Sequence, residues 1–277
     1  MKISILLPYK ENYSPEYPGA VSLFVHATNK VSIYKNDITV YGNTSLKTKL
    51  SKRYVNISLN KTSLFKSQSR EYVKKFVSLD EVNKSDIVEI HNRPNYVPLI
   101  KSIKAQIVLY FHNDPITMIG SKSKKERINL MTICKKIIFN SEWSKNKFLI
   151  NLDPIYIKSH KLEVIHQSIN KEKIDITKKD KLITFVGKLN IAKGYDLFGV
   201  AVIKILNKYP DWKAVVIGDE PREKLIFNHK NLEIKGFQEH SKVLQIFKKT
   251  SIAVACSRWE EPFGRTSLEA SSRGCAV

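Results

Sequence analysis

Glu261 and Glu269 stand eight positions apart in the run Glu261-Pro-Phe-Gly-Arg-Thr-Ser-Leu-Glu269, around a Phe-Gly turn at the expected start of a helix. A carboxylate accepts hydrogen bonds from neighbouring hydroxyls, so Glu261 at the turn can hold a sugar. Glu269, two turns along the same helix face, can hold a ribose. The backbone N–H groups of Gly264, Arg265, Thr266 and Ser267 have no acceptors within such a helix, and with the positive end of its dipole they suit phosphate oxygens. The chemistry this describes is recognition of a sugar carried on a diphosphate. The spacing by itself leaves a plainer reading open, in which Glu261 is an N-terminal helix charge and Glu269 a solvated one.

The surrounding residues narrow the choice. Ile252-Ala-Val-Ala-Cys256 reads as a buried strand, Ser257 to Phe263 as a polar loop, and the stretch to Val277 as a helix with small residues followed by a new strand. This segment closely resembles the donor-site signature of the retaining GT-B glycosyltransferases of family 4. There a strand ends in "PS", a loop carries "E-x-FG", and a helix carries "LEA" before "G-x-PV". Ser257, Glu261, Phe263, Gly264, Leu268, Glu269, Ala270, Gly274 and Val277 match in order.

The resemblance extends to further segments. Phe185-Val-Gly-Lys-Leu-Asn-Ile-Ala-Lys-Gly-Tyr-Asp196 resembles "VGR…KG-x-D", in which two basic side chains clamp the donor diphosphate. Lys193 matches the family lysine, and Lys188 replaces an arginine, keeping the charge but losing the bidentate fork. Basic residues at a helix N-terminus oppose its dipole unless an anion is present. Val216-Ile-Gly-Asp-Glu-Pro221 resembles "vGdGp", with Gly218 expected to let backbone pass close to the donor and Glu220 in place of the second glycine. Lys235-Gly-Phe-Gln238 places Phe237 where the family holds its nucleobase. In the first half, Tyr17-Pro-Gly-Ala20 resembles a glycine-containing loop near the donor phosphates, which assigns Gly19. Phe111-His-Asn-Asp-Pro115 ends a strand where the family often carries a histidine facing the transferred sugar, which assigns His112 a catalytic role beside Glu261. His91, Asn92 and Arg93 end another strand and either line the acceptor side or form a turn. His166 and Gln167 depart from the family's Pro-Asn.

The elements that must position these residues alternate between short apolar strands and helical stretches, the pattern of parallel α/β domains. Strands are expected at Ile3–Leu7, Ile38–Tyr41, Ile87–Ile90, Ile107–Phe111, Lys136–Phe139 and Leu162–Ile165, and helices at Ala20–Lys30, Arg70–Ser78 and Glu142–Leu149. A polar stretch, 171–181, reads as a linker between domains 1–170 and 182–277. The second series has strands at Leu182–Val186, Trp212–Ile217, Leu232–Lys235 and Ile252–Cys256. Its helices are expected at Lys193–Lys208, Glu220–Asn228 and Ser241–Lys249. Two Rossmann-like domains facing a cleft are expected, which agrees with the GT-B fold that the resemblance implies. Family members continue through further βα units, so the second domain is expected to be incomplete at Val277.

Composition sets the remaining bounds. The 277 residues can bury two cores, and no apolar run approaches the roughly 20 residues that span a bilayer. Met1 to Pro8 is too short an apolar run for a signal peptide, which points to a cytoplasmic protein. Cys134, Cys256 and Cys275 are odd in number and far apart, and the seven histidines are dispersed, so neither disulfide, metal nor cofactor is expected. Net charge is +21, with +15 in residues 1–180 and +6 in the rest. An anionic partner follows: a membrane surface at the inner face or a lipid-linked acceptor, unless the Lys-, Asn- and Ile-rich composition simply reflects an AT-rich genome. No helix-turn-helix, zinc finger or RNP-like strand points to nucleic acid. Partners implied by the resemblance are a nucleotide-sugar donor and a sugar, lipid-linked or glycan acceptor, in cell-envelope polysaccharide or lipopolysaccharide synthesis. The alternative is a truncated, non-catalytic relative that binds a nucleotide or an anionic surface.

Overall fold

The computed structural model describes residues 1–59 and 67–277. They form two compact units, Met1–His166 and Gln167–Val277. Among the described residues no helix is long and apolar enough to cross a membrane.

In chain order the first unit contains β1 (Ile3–Leu6), α1 (Ala20–Val31), β2 (Ile38–Gly42), β3 (Tyr54–Asn56), α2 (Gln68–Val77), α3 (Asp80–Asn83), β4 (Ile87–His91), α4 (Val97–Ile100), β5 (Gln106–Phe111), α5 (Lys124–Ile133), β6 (Lys136–Phe139), α6 (Glu142–Leu149), α7 (Pro154–Ile157) and β7 (Leu162–Val164). All its strands pair in parallel, in the order β3-β2-β1-β4-β5-β6-β7. Parallel strands covered on both faces must be apolar on both, which is why Ile5, Leu6, Val88, Ile90, Leu109 and Phe111 are all buried. One apolar cluster centres on Phe76, Val88, Leu109 and Phe139, and a second on Tyr13, Phe24, Val40 and Tyr110.

The second unit contains β8 (Asp180–Val186), α8 (Tyr195–Lys208), β9 (Lys213–Ile217), β10 (Leu232–Ile234), α9 (His240–Lys249), β11 (Thr250–Val254) and α10 (Arg265–Ser271). Its strands are also parallel, in the order β10-β9-β8-β11. In both sheets the first strand lies inside, with later strands added on either side. The strand order therefore reverses at β1/β4 and at β8/β11, and the carboxyl ends there are the usual ligand positions of open α/β sheets.

Several elements differ from the sequence-based expectation. Residues 220–228 form no helix. A turn at Pro221–Arg222 starts the segment, and Leu225 and Phe227 then lie against the Phe198 side of the core. The helix expected from Lys193 begins at Tyr195, after a short 3-10 turn, because Gly194 adopts φ 71°. Helix α5 was not expected. Its apolar periodicity is weak, and its start is marked by a capping box in which Ser123 and Glu126 satisfy each other's backbone N–H.

The polar stretch 171–181 lies within the second unit and is fastened to it. Glu172 is ion-paired with Lys248 and Arg273, and Arg273 also donates to the Asn170 carbonyl. Lys179 Nζ donates to the carbonyls of Phe247 (2.8 Å), Thr250 (2.8 Å) and Arg273 (2.6 Å). Polar side chains that look like a solvated linker are here ligands for carbonyls at the ends of α9 and α10. Lys179→Met, which keeps the stem and removes the ammonium, is expected to lower second-unit stability by roughly 1–3 kcal/mol. Urea unfolding checks this, and an unchanged midpoint would show that the three carbonyls are equally well served by water.

Candidate functional site

In the second unit the loops after β8 and β11 are packed directly on each other. Asn190 Oδ1 accepts from Lys193 N at 2.9 Å and closes the turn that leads into α8. At Gly194 a Cβ would sit 2.0 Å from the Cys256 carbonyl oxygen, so no side chain fits. Cys256 Sγ donates to the Gly194 carbonyl at 3.1 Å, and Arg258 N donates to Ala192 O at 3.0 Å. The Arg258 guanidinium reaches Asp196 in the first turn of α8 at 2.5 Å.

This contact brings Lys193 and Glu261 together. Lys193 Nζ lies 2.5 Å from Glu261 Oε1, and Ser257 Oγ donates to the same oxygen at 2.5 Å. The ammonium also sits 5.0 Å above the Trp259 ring, a cation–π distance. Burial pushes the Glu261 carboxyl up, but the hydrogen bonds from Lys193 and Ser257 and the lysine charge outweigh it, leaving the group below its ordinary range. Glu261 is thus an ionised acceptor held in one place. Ser257 matched the motif without an assigned role, and Trp259 carried no signal in the sequence. Both enter through the loop's path.

Lys188 is not brought to Glu261. Its charge falls on Glu220, whose side chain is covered by Arg222 through bonds from Nε to Oε1 (2.6 Å) and Nη2 to Oε2 (2.8 Å). Glu220 is covered by this exposed arginine rather than set in the core. The hydrogen bonds from Arg222, with the charges of Arg222 and Lys188, hold it down at about 2. The glycine expected there is replaced by an arginine-locked carboxylate.

Gly218 has φ 134°, and a Cβ there would lie 1.8 Å from the Gly187 carbonyl oxygen. Its glycine requirement comes from the close passage of β8 and β9 loop backbone, within the unit itself. Phe237 follows Gly236, whose φ is 63° and beside which the space is open. Gly264 takes φ 77° ahead of α10 and turns the chain so that Phe263 precedes, and Arg265, Thr266 and Ser267 open, that helix. Glu269 is buried, not solvated, and its Oε1 accepts from Arg265 Nε at 2.8 Å and lies 2.9 Å from His240 Nε2. Burial raises this carboxyl, and His240 and Arg265 more than offset it, so it stays below the ordinary range. His240, at the start of α9, is a member of the site that no spacing in the sequence revealed.

In the first unit, Gly19 caps α1 and faces Glu11. Glu11 Oε1 accepts from Val21 N at 3.1 Å and Ser22 N at 3.2 Å, and a Cβ on Gly19 would lie 1.9 Å from that oxygen. An internal carboxylate therefore occupies the N-terminus of α1. Burial raises Glu11 above its ordinary value despite those N–H groups and the nearby charges of Arg93 and His91. His112 is buried just beyond β5, where Asn92 Oδ1 accepts from His112 N and Asn113 N and Asn140 Nδ2 donates to His112 O at 2.9 Å. Asn92 itself is a left-handed turn residue at φ 56°, so the end of β4 is a turn. Among the described residues no group of three His, Cys, Asp or Glu side chains is placed to hold a metal.

Residues 166–277 match the family model described as glycosyl transferases group 1. The chain is 30% identical over 117 residues to the lipopolysaccharide core biosynthesis mannosyltransferase LpsB of Rhizobium meliloti, covering 39% of this chain and 33% of that protein. It is 28% identical over 166 residues to an uncharacterized 42.6 kDa protein in the cps region of Klebsiella pneumoniae, covering 56% and 42%. The matches thus span less than half the length of these curated relatives. The crystal structure of Anabaena HepE in complex with UDP and glucose superposes with a TM-score of 0.67 at 16% identity, covering 99% of this chain and 79% of that one. The fold is of the GT-B type, with two Rossmann-like α/β units.

The Glu220 lock has a defined pH signature. Its folded-state value lies below the ordinary 4.5 at about 2, so the stability it adds is complete above pH 4.5 and is lost as pH falls toward 2. The melting temperature of Glu220→Gln is expected to fall below that of the parent near neutrality, with the gap closing across this window and shrinking in high salt because Arg222 is exposed. A gap independent of pH would refute the assignment.

Proposed function

We propose that the chain is a retaining glycosyltransferase of family 4 that moves a sugar from a nucleotide diphosphate to a hydroxyl acceptor. The observation that carries this reading is the Lys193–Ser257–Glu261 cluster at the carboxyl ends of β8 and β11. In the reaction the bond between the anomeric carbon and the diphosphate oxygen breaks, and a bond forms from that carbon to the acceptor oxygen. The departing phosphate takes the acceptor proton on the same face, as the family resemblance implies. The protein's part is positioning and charge.

The site residues divide that work. Lys193 exchanges Glu261 for the diphosphate and meets the negative charge that develops on the leaving group, whereas Lys188, whose charge falls on Glu220, must turn from it to supply a second positive charge. The N–H groups from Gly264 to Ser267, at the start of α10, are assigned as added donors to the phosphate oxygens. Glu261, released from the ammonium and still held by Ser257, accepts hydrogen bonds from sugar hydroxyls. Glu269, oriented by Arg265 and His240, takes the ribose. His112 is assigned to the transferred sugar, as the family resemblance implies. A cell-envelope polysaccharide or lipopolysaccharide acceptor, with work at the inner membrane face, is supported by the lipopolysaccharide role of the LpsB relative and by the basic charge.

Glu261→Ala is expected to lower turnover by about 10²–10³-fold while the melting temperature stays within a few degrees. A panel of UDP-, GDP- and ADP-sugars, read by thermal shift and by transfer to polysaccharide or lipid-linked acceptors, tests the whole reading. Donor stabilisation without transfer would mark a non-catalytic nucleotide-sugar binder, and turnover unchanged in Glu261→Ala would remove the site assignment.

A further inference from the structure

Glu220, Pro221, Arg222 and Glu223 form one tight turn after β9. The Glu220 carbonyl accepts from Glu223 N at 3.2 Å, and Pro221 sets the backbone angle at the second position. This turn is braced against the loop after β8. Leu189 N donates to the Asp219 carbonyl at 3.4 Å, Asn190 Nδ2 lies 3.5 Å from Glu220 Oε2, and Glu223 Oε2 accepts from Ile191 N at 3.0 Å. Asn190 also holds Lys193 N through its Oδ1 at 2.9 Å, so these contacts fall on the stretch between Lys188 and Lys193. The Glu220 carboxylate therefore stands beside the segment that carries both cations assigned to the diphosphate.

A carboxylate in that place works against an anionic ligand. The Glu220 side chain is only 3% exposed, and it is ionised, because the hydrogen bonds from Arg222 and the charges of Arg222 and Lys188 hold it down at about 2. With no partner of its own, this negative charge would draw the exposed Lys188 to itself and repel a diphosphate. Arg222 takes both oxygens, Nε reaching Oε1 at 2.6 Å and Nη2 reaching Oε2 at 2.8 Å, and its backbone N–H lies 3.4 Å from Oε1. A planar guanidinium meets a carboxylate at two points, so the pair closes within the turn before any ligand arrives. Lys188 is left facing a carboxylate that already has its partner.

We infer that Arg222 is a positioning residue that keeps Lys188 available to the donor diphosphate by occupying both oxygens of Glu220. It acts through Glu220 and does not touch the ligand. Glu220 and Lys188 are both positions at which the chain departs from the pattern it resembles, and the two departures meet at this contact. Arg222 is what makes them compatible. This role rests on the donor reading proposed above, which gives Lys188 its ligand.

The test measures binding of UDP, GDP and ADP to the full chain by calorimetry, with melting temperatures alongside, and the nucleoside diphosphate that the parent binds best serves as the probe. Arg222→Ala is expected to weaken binding of that probe about fivefold, because Lys188 turns to Glu220. Arg222→Lys, which keeps the charge but loses the fork, is expected to recover part of the loss. Glu220→Gln removes the charge at nearly constant shape and is expected to bind at least as tightly as the parent. The double variant Glu220→Gln/Arg222→Ala lacks the whole pair and melts no higher than Glu220→Gln, yet it is expected to bind as the parent does. A role in stability alone would not allow that recovery. A double variant as weak as Arg222→Ala would mean that Arg222 touches the ligand or only supports the turn, and it would overturn the inference while the donor reading stands. Unchanged binding in Arg222→Ala would do the same. A parent that binds none of the three nucleoside diphosphates would instead remove the donor reading, and the role of Arg222 with it.

Discussion

The loop after β8 can lie against the loop after β11 only because residue 194 has no side chain. With the Cys256 carbonyl 2.0 Å from where a Cβ would be, any other residue pushes the two loops apart. Their separation decides whether the lysine one position before the glycine can reach the glutamate five positions past the cysteine. The positive φ that the glycine also supplies ends the short turn and starts α8 in the direction that leaves Lys193 facing the other loop. A backbone contact between two neutral groups thus places the principal charges of the second unit.

Those charges are arranged in pairs. Lys193 with Glu261, Arg222 with Glu220, and Arg265 and His240 with Glu269 each hold a carboxylate in its ionised form. A site with opposing charges already matched stays folded when empty, whereas an open cluster of lysines would repel itself. The cost is that a ligand must displace a partner before it binds. A diphosphate is suited to that exchange because it presents more charge than a single carboxylate. The first unit solves a similar problem differently, with the Glu11 carboxylate set on the α1 N-terminus at a position where Gly19 leaves room for it.

The strands were legible because parallel sheets covered on both faces demand apolar runs, and Ile87–His91 and Lys213–Ile217 stand close to where those runs lie. The segment 220–228 was not, because its helix-like composition is overruled by Pro221 and by the burial of Leu225 and Phe227. Lys193, Glu261 and Gly264 could be singled out by type and spacing. Their partners could not: Trp259 meets Lys193, and His240 meets Glu269, only through loop paths and helix packing, and nothing local marks such encounters. Gly218 shows a different limit. A glycine after a strand signals close approach, but the sequence does not say that the approaching group is the Gly187 carbonyl.

The cage of carbonyls around Lys179 ties residues near the beginning of the second unit to residues 71 and 94 positions further on, and the Arg273–Asn170 bond spans 103. Loops of that length close slowly, and the entropy lost on closing them is recovered only when the contacts form together. Residues 170–179 therefore lack their long-range partners on the ribosome until positions 247 to 275 have emerged. The second unit is expected to assemble in one late, cooperative step, in contrast to hairpins and helices that form as they are made.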